Sequence, residues 1–191
     1  MKAGYIFIIF LVVAAVQIVV PTQMILNREE VLNTGAVYKF KTRPVDPADP
    51  FRGKYIALDF EADSYKTTNA SWDRKEAIFI YLDIDSLGFA EIYKVSKDIL
   101  PGLDKDYVKA KVDWYADYNG ELNIEYPFNR FYMEESKAYE AEVAVRENQR
   151  DSLLNDVYAI VYVKAGESVL KDVIINGMPI KDYVEKEVEN N

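Results

Sequence analysis

One group of charged side chains near the start of the chain has a spacing that could form a binding edge. Asp46, Asp49 and Arg52 recur at every third position, and three prolines share this period. An extended polyproline II segment has three residues per turn, so these side chains are expected on one edge of it. Such an edge could bind a cation or a partner protein. Exposed charge runs are more often solvated, and local pairing by Arg52 would contribute only about 0–1 kcal/mol.

A second polar group lies around residue 135 and could provide acid and base catalysis. It contains Arg130, Tyr132, Glu134, Glu135 and Glu140. Two carboxylates can act as general acid and general base when burial separates their pKa values. Glutamates at the start of a helix also interact favourably with the positive end of the helix dipole. We therefore expect a structural role for them, and a carboxylate enzyme is the third hypothesis for this chain.

The composition excludes several other kinds of chemistry. Cysteine and histidine are both absent, which rules out disulfides, thiol nucleophiles, Cys/His zinc sites and imidazole bases. Ser168 and Lys171 match the S-x-x-K spacing, but on a predicted strand they face opposite sides. The net charge of −9 argues against nucleic acid binding. We predict no catalytic residue, no metal site and no cofactor.

The amino-terminal segment has the length and composition of a membrane helix. Residues 3–20 are apolar apart from Gln17. Eighteen helical residues span about 27 Å, close to the thickness of a bilayer core. We therefore expect residues 1–26 to be a transmembrane anchor that contacts lipid through residues 3–26.

A cleaved signal peptide is the alternative interpretation of this segment. Lys2 precedes the apolar run, and Ala14 and Ala15 form a small pair within it. No A-x-A-like site ends the run, however, and apolar residues continue to residue 26, which favours an anchor. We expect the amino terminus inside and the main domain, residues 27–191, outside the cytoplasm.

Alternating apolar residues predict a mainly β body after the anchor. A short helical neck is expected to end at Gly35, and a helix is expected at residues 133–149. The fold class is therefore α+β, mainly β, with one antiparallel β-rich domain. Strands are predicted at residues 37–42, 54–60, 77–84, 89–95, 107–115, 122–126, 157–163 and 168–175.

An internal similarity suggests that this domain contains two duplicated hairpin units, at residues 37–115 and 122–188. Gly88 matches Gly166 and Pro101 matches Pro179, both at an offset of 78 residues. Chance similarity is the alternative, because Tyr, Val and Ile are abundant in this chain.

The segment Gly53–Phe60, "GKYIALDF", resembles the signature of the GDYXXLXY protein family. Gly53, Tyr55 and Leu58 match the signature, whereas Lys54 stands where the family has Asp and Phe60 where it has Tyr. Lys54 inverts a charge, so a catalytic or metal-binding role for that position is not expected in this chain.

The likeness covers most of the body, including "PVDP", "FRG" and "NRFYMEE" with Glu140 beyond it. It implies a membrane-anchored bacterial protein of unknown biochemical function, often encoded near a polytopic membrane protein. Contact or motif residues are expected among Asp46, Asp49, Arg52, Gly53, Lys54, Tyr55, Leu58, Phe60, Arg130, Tyr132, Glu134 and Glu140.

Two functional hypotheses follow from the residues and the resemblance together. The first is a non-enzymatic interaction or accessory module for a neighbouring membrane protein. The second is a sensor in which the two halves enclose a cleft for a small ligand, lined by some of the 15 tyrosines.

Overall fold

The computed structural model describes residues 2–43, 55–68, 72–133, 141, 143–144 and 157–190. The proline-rich segment with Asp46, Asp49, Arg52, Gly53 and Lys54 lies outside the described residues. Most of the helix predicted at residues 133–149 also lies outside the described residues, and this part includes Glu134, Glu135 and Glu140. Ala141 and Ala144, within that range, are helical and buried.

The first element is a single unbroken helix, α1, at Lys2–Thr34. The predicted neck is the last part of this helix, and the Gly35 N–H closes it with a 2.8 Å hydrogen bond to the Val31 carbonyl. Pro21 lies within the helix, and the Thr22 hydroxyl donates to the Ile18 carbonyl one turn earlier. In the described part of the chain, α1 alone is long and apolar enough to span a membrane, and its apolar stretch packs against no part of the protein.

The body is built from antiparallel strands, and a helix, α2, at Ile180–Asn190 follows them. A short 3-10 turn at Glu61–Asp63 links two of the strands. In the described part of the chain the strands are β1 Ala36–Arg43, β2 Tyr55–Ala57, β3 Asp59–Phe60, β4 Ser64–Lys66, β5 Ala77–Ile84, β6 Ala90–Ser96, β7 Tyr107–Ala116, β8 Glu121–Glu125, β9 Arg130–Tyr132, β10 Val157–Lys164, β11 Glu167–Ile175 and β12 Met178–Pro179.

These strands form two five-stranded sheets and one two-stranded ribbon. The first sheet has the order β12-β11-β10-β1-β3, and the second has the order β4-β8-β7-β5-β6. The ribbon pairs β2 with β9. The two sheets meet where β7 approaches the β10–β11 turn, since the Lys109 N–H donates to the Gly166 carbonyl at 3.0 Å.

Alternation along the strands explains the core between the sheets. On β10, Val157, Ala159, Val161 and Val163 are all buried, while the residues between them are half-buried. The buried members of β1 and β7 follow the same two-residue period. The strands predicted from this period are therefore found within about two residues of their predicted bounds.

The predicted strand "KYIALDF" shows the expected alternation but not the expected continuity. Ile56, Leu58 and Phe60 are each 2% exposed, so one face of the segment is buried. The strand is interrupted at Leu58, because β2 pairs with β9 and β3 pairs with β1. One extended segment thus changes neighbours in its middle and contacts two separate parts of the fold.

The proposed duplication is not confirmed. Both similar segments form hairpins, β5–β6 and β10–β11, and Gly88 and Gly166 in their turns share a φ of 87°. The similarity then fails, because residues 106–108 lead into strand β7 whereas residues 182–184 lie in helix α2. What the two segments share in the structure is a hairpin with a glycine of the same φ in its turn.

Candidate functional site

The two motif segments that are far apart in sequence are neighbours in the structure. In the ribbon, Tyr55 lies opposite Tyr132 and Ala57 lies opposite Arg130. The rings of Tyr55 and Tyr132 are 5.5 Å apart, and the Arg130 guanidinium lies 5.0 Å from the centre of the Tyr55 ring. Tyr55, Arg130 and Tyr132 thus form one aromatic and cationic surface, which we call the motif face.

The motif face is open to solvent. Tyr132 is 65% exposed, and Arg130 is exposed beside it. Stacking of a guanidinium on an aromatic ring contributes about 0.5–1 kcal/mol at an exposed site, so it orders the two side chains only modestly. The arrangement presents flat aromatic surface and a positive charge side by side.

Leu58 and Phe60, the other described motif residues, are structural. The Leu58 N–H donates to the Asn129 carbonyl at 2.9 Å, which ties the motif strand to the segment before β9. Phe60 packs in an aromatic cluster with Phe40, Tyr126 and Phe128, at centroid distances of 5.4 to 5.9 Å. Such edge and tilted contacts are favourable between rings, so phenylalanine can fill the position where the family has tyrosine.

A cleft of about 850 Å³ lies beside the motif face, between it and strands β7 and β11. Its described lining has five basic side chains and one acidic side chain, Glu125, in a chain whose net charge is −9. Because strands β7 and β11 belong to different sheets, the presence of this cleft between them means that the junction between the sheets is not fully packed. The basic residues are Arg28, Lys109, Lys111, Arg130 and Lys171.

A neighbouring cavity of about 560 Å³ lies where α1 meets the first sheet. Beside it, the Lys164 ammonium contacts Glu30 Oε1 at 2.6 Å and Thr34 Oγ1 at 2.8 Å. Hydrogen bonding and charge from Lys164 lower the pKa of Glu30. Val31 is 5% exposed. The last turns of α1 are thus packed on the sheet.

Sequence reasoning missed a third site, a small cavity of about 230 Å³ under strand β3. We call it the acidic cavity. No periodicity marks it, because its residues come from five separate short segments. Its described lining consists of Arg43, Leu58, Asp59, Phe60, Asp63, Asp113, Trp114, Asn123, Ile124, Glu125, Tyr126 and Asn129.

Asp63 is the buried charged residue of this cavity. It is 7% exposed, and its Oδ2 accepts a 2.5 Å hydrogen bond from the Arg43 guanidinium. Burial raises the pKa of Asp63 to about 6, with Arg43 opposing the shift and Asp59 adding to it. Burial also raises the pKa of Tyr126, whose hydroxyl donates to the Ala62 carbonyl at 2.7 Å.

Ser168 and Lys171 are not arranged as a nucleophile and base. Both lie on β11, and the Lys171 ammonium is 3.4 Å from the Tyr162 hydroxyl. The Ser168 hydroxyl is buried without a hydrogen-bond partner among the described residues. Within the described ranges, no group of three or more acidic side chains is placed to hold a metal ion.

Comparison with known proteins gives one family. The model of the GDYXXLXY protein family matches residues 17–173, which include the end of α1 and the body as far as β11. No curated protein and no solved structure gives a significant match. The match covers most of the chain and contains the paired segments of the motif face. The chain therefore belongs to the GDYXXLXY protein family.

Proposed function

We propose that this protein is a non-enzymatic, membrane-anchored interaction module that contacts another membrane protein through the motif face. In this proposal the amino terminus is inside and the body lies outside the cytoplasm. The observation that carries it is the pairing of Tyr55, Arg130 and Tyr132 on one exposed surface. Both motif segments of the family contribute to this surface.

The chemistry of the motif face suits protein contact. Tyrosine and arginine are enriched among the residues that carry most of the binding energy at protein interfaces. Their mutual stacking partly orders the side chains of Tyr55 and Arg130 before a partner arrives. Less side-chain freedom is then lost on binding, which favours association.

The anchoring of the body supports a partner in the same membrane. Helix α1 runs without a linker from its apolar stretch into the contacts of Val31 with the sheet. Lys164, on strand β10, donates hydrogen bonds to Glu30 and Thr34 at the same end of the helix. A body held at a set distance from the bilayer needs little rearrangement to meet a second membrane protein.

We would test the proposal by crosslinking native membranes that contain the tagged full-length protein and then purifying that protein by affinity. We expect one membrane protein to be recovered reproducibly. Arg130→Ala combined with Tyr132→Ala should reduce its recovery by about 30-fold or more, since truncating an interface hot spot costs about 2 kcal/mol or more. Tyr118→Ala is the matched control, because Tyr118 is 87% exposed in the β7–β8 turn. Recovery of no membrane protein, or equal recovery with all variants, contradicts the proposal.

The orientation has its own test. The chain contains no cysteine, so a single Asp117→Cys substitution in the exposed β7–β8 turn introduces one reactive thiol. A membrane-impermeant maleimide should label this thiol in intact cells. Labelling only after lysis would place the body on the cytoplasmic side.

A ligand-binding sensor is the second candidate, and the cleft of about 850 Å³ favours it. Its size lies within the range of small-molecule sites, and its basic lining suits an anionic ligand. Native mass spectrometry of the purified protein distinguishes the two candidates. A bound anion that is lost in Lys111→Glu but kept in Tyr118→Ala would support the sensor.

A further inference from the structure

Two of the cavities adjoin, and together they reach from α1 to the motif face. The cavity of about 560 Å³ is lined by Met24 and Arg28 of α1. The cleft of about 850 Å³ is lined by Arg28 as well, and by Tyr132 of the motif face. We call the two cavities together the basic groove. The residues that line both of them are Arg28, Lys109, Pro127, Ser168 and Val169.

Positive charge remains in the basic groove after its acidic side chains are paired. Three acidic side chains line it in the described structure, and each has a lysine within 2.8 Å. By contrast, Arg28, Lys111 and Lys171 have no acidic side chain within salt-bridge distance among the described residues. An excess of positive charge thus lines one groove of a chain whose net charge is −9. The three pairs are Glu30 with Lys164, Glu125 with Lys75, and Glu167 with Lys109.

Three separate elements bring these basic side chains to the groove. Lys109 and Lys111 are two residues apart on β7, so they share one face of the strand, and both are exposed. Strand β11 meets β7 at the hydrogen bond from the Lys109 N–H to the Gly166 carbonyl, and it carries Lys171. Arg28 comes from α1. A cleft lined by one sign of charge concentrates the electric field and attracts ions of the opposite sign.

The groove begins where the apolar stretch of α1 ends. Residues 3–26 span about 36 Å as a helix, which is enough to cross a hydrocarbon core of about 30 Å and to enter the headgroup layer. Arg28 follows about 3 Å further along the same helix, and its side chain is exposed. Val31 packs on the sheet one turn later and holds the groove at this level. In a membrane spanned by α1, lipid phosphates would therefore lie beside Arg28.

We propose that the basic groove binds the phosphate of an anionic phospholipid from the surrounding membrane. Arg28 donates to the phosphate, because a guanidinium can bind two phosphate oxygens at once. Lys111 and Lys171 add positive charge further along the groove. This inference rests on the membrane anchoring in the proposed function and is independent of the protein partner proposed there. For the sensor candidate, it names the class of ligand that the cleft takes.

The size and walls of the groove favour a lipid over a soluble phosphate. A cleft of about 850 Å³ lies within the range of small-molecule sites and has room for a glycerophosphate headgroup. Val169 and Leu170 are half-buried in its lining, and Phe131 lies there too. Met24 lines the adjoining cavity from the apolar stretch of α1. These apolar side chains can contact the glycerol and the first methylene groups of a lipid, which a free phosphate lacks.

Native mass spectrometry of the full-length protein in a non-ionic detergent tests the proposal. Phosphatidylglycerol and phosphatidylcholine with the same acyl chains are titrated separately, and the bound lipids are counted. We expect one phosphatidylglycerol to bind saturably, at a concentration at least tenfold lower than phosphatidylcholine requires. Arg28→Gln combined with Lys111→Gln should weaken this binding about 25-fold, since each basic side chain near an anionic lipid surface contributes about fivefold. Lys171→Gln alone, which should weaken it about fivefold, is a second variant should the double variant fail to fold.

The matched control is Lys66→Gln combined with Lys94→Gln. It changes the net charge equally, and both lysines are exposed on strands β4 and β6, outside the described lining of the groove. The control should bind phosphatidylglycerol as the wild type does. Equal binding of the two lipids, or equal weakening in the groove variants and the control, would overturn the inference.

Soluble competitors identify the source of the phosphate. Glycerol phosphate and inorganic phosphate, each added at the concentration of the lipid, should leave phosphatidylglycerol bound. Displacement by either would show that the groove takes a soluble phosphate compound instead of a lipid. Retention of the wild type in the membrane fraction after an alkaline carbonate wash tests the anchoring by itself. Its release would count against the proposed function, whereas retention without preferential binding of phosphatidylglycerol would count against this inference alone.

Discussion

Replacing Asp63 with asparagine should change how the free energy of unfolding depends on pH. Burial raises the pKa of Asp63 to about 6, because its lost hydration outweighs the attraction of Arg43. In the unfolded chain the pKa returns to its ordinary value of 3.8. The folded state therefore binds this proton more tightly than the unfolded state does. Stability linked to Asp63 is fully present below about pH 3.8 and is lost as the pH rises through about 6.

The magnitude follows from the size of the shift. A displacement of about two pKa units corresponds to about 3 kcal/mol between the two ends of this pH range. Other carboxyl groups titrate in the same range. Their contributions cancel in the difference between wild type and Asp63→Asn when they do not contact Asp63.

Urea unfolding of the full-length protein in detergent, followed by near-ultraviolet circular dichroism, measures this difference. The unfolding free energy of the wild type minus that of Asp63→Asn should fall by about 3 kcal/mol as the pH rises from about 3.5 to about 7. Asp117→Asn should give a difference that does not vary with pH, because Asp117 is exposed in a turn. A flat or rising difference for Asp63→Asn would refute the argument that burial dominates at this carboxyl.

Two further substitutions test the packing of the fold by the same unfolding measurement. The Gly35→Ala substitution should lower the free energy of unfolding by about 1–3 kcal/mol. Its new Cβ would lie 2.5 Å from the Val31 carbonyl oxygen and 2.9 Å from the Val163 carbonyl oxygen. Gly4→Ala, where no atom lies within 4 Å, should leave the stability unchanged, and equal effects of the two would contradict the close approach. The Phe40→Ala substitution should lower the free energy of unfolding by about 3–5 kcal/mol. The reason is that the Phe40 ring is fully buried and contacts three aromatic rings at centroid distances of 5.0 to 5.6 Å. A loss below about 1 kcal/mol would show that this cluster is not tightly packed.

Local sequence predicted much of the strand content, because one face of each long strand is buried. In β10, every second residue is buried, and this period is visible in the sequence itself. The short strands β4, β9 and β12, of two or three residues, were not predicted. So few residues cannot display a period, and these strands exist because segments distant in sequence or longer neighbouring strands pair with them.

The candidate sites were predictable only in part. Tyr55, Arg130 and Tyr132 were identified from the motif segments, but their contact depends on strands more than 70 residues apart. Asp63 gave no signal, since an aspartate in a short polar segment is typical of a surface turn. Its burial arises because the 3-10 turn packs against β1, β6 and β8.

The sequence by itself determined a long apolar helix that could span a membrane, the absence of cysteine and histidine chemistry, and the alternating faces of the long strands. These are properties of composition and of neighbouring residues, so they need no knowledge of the fold. Tertiary structure decided that the motif strand divides between β1 and β9, that α1 packs on the sheet, and that four acidic residues share one cavity. Each of these depends on contacts between distant segments, and a periodic pattern shows which face a strand buries without showing which strand it meets.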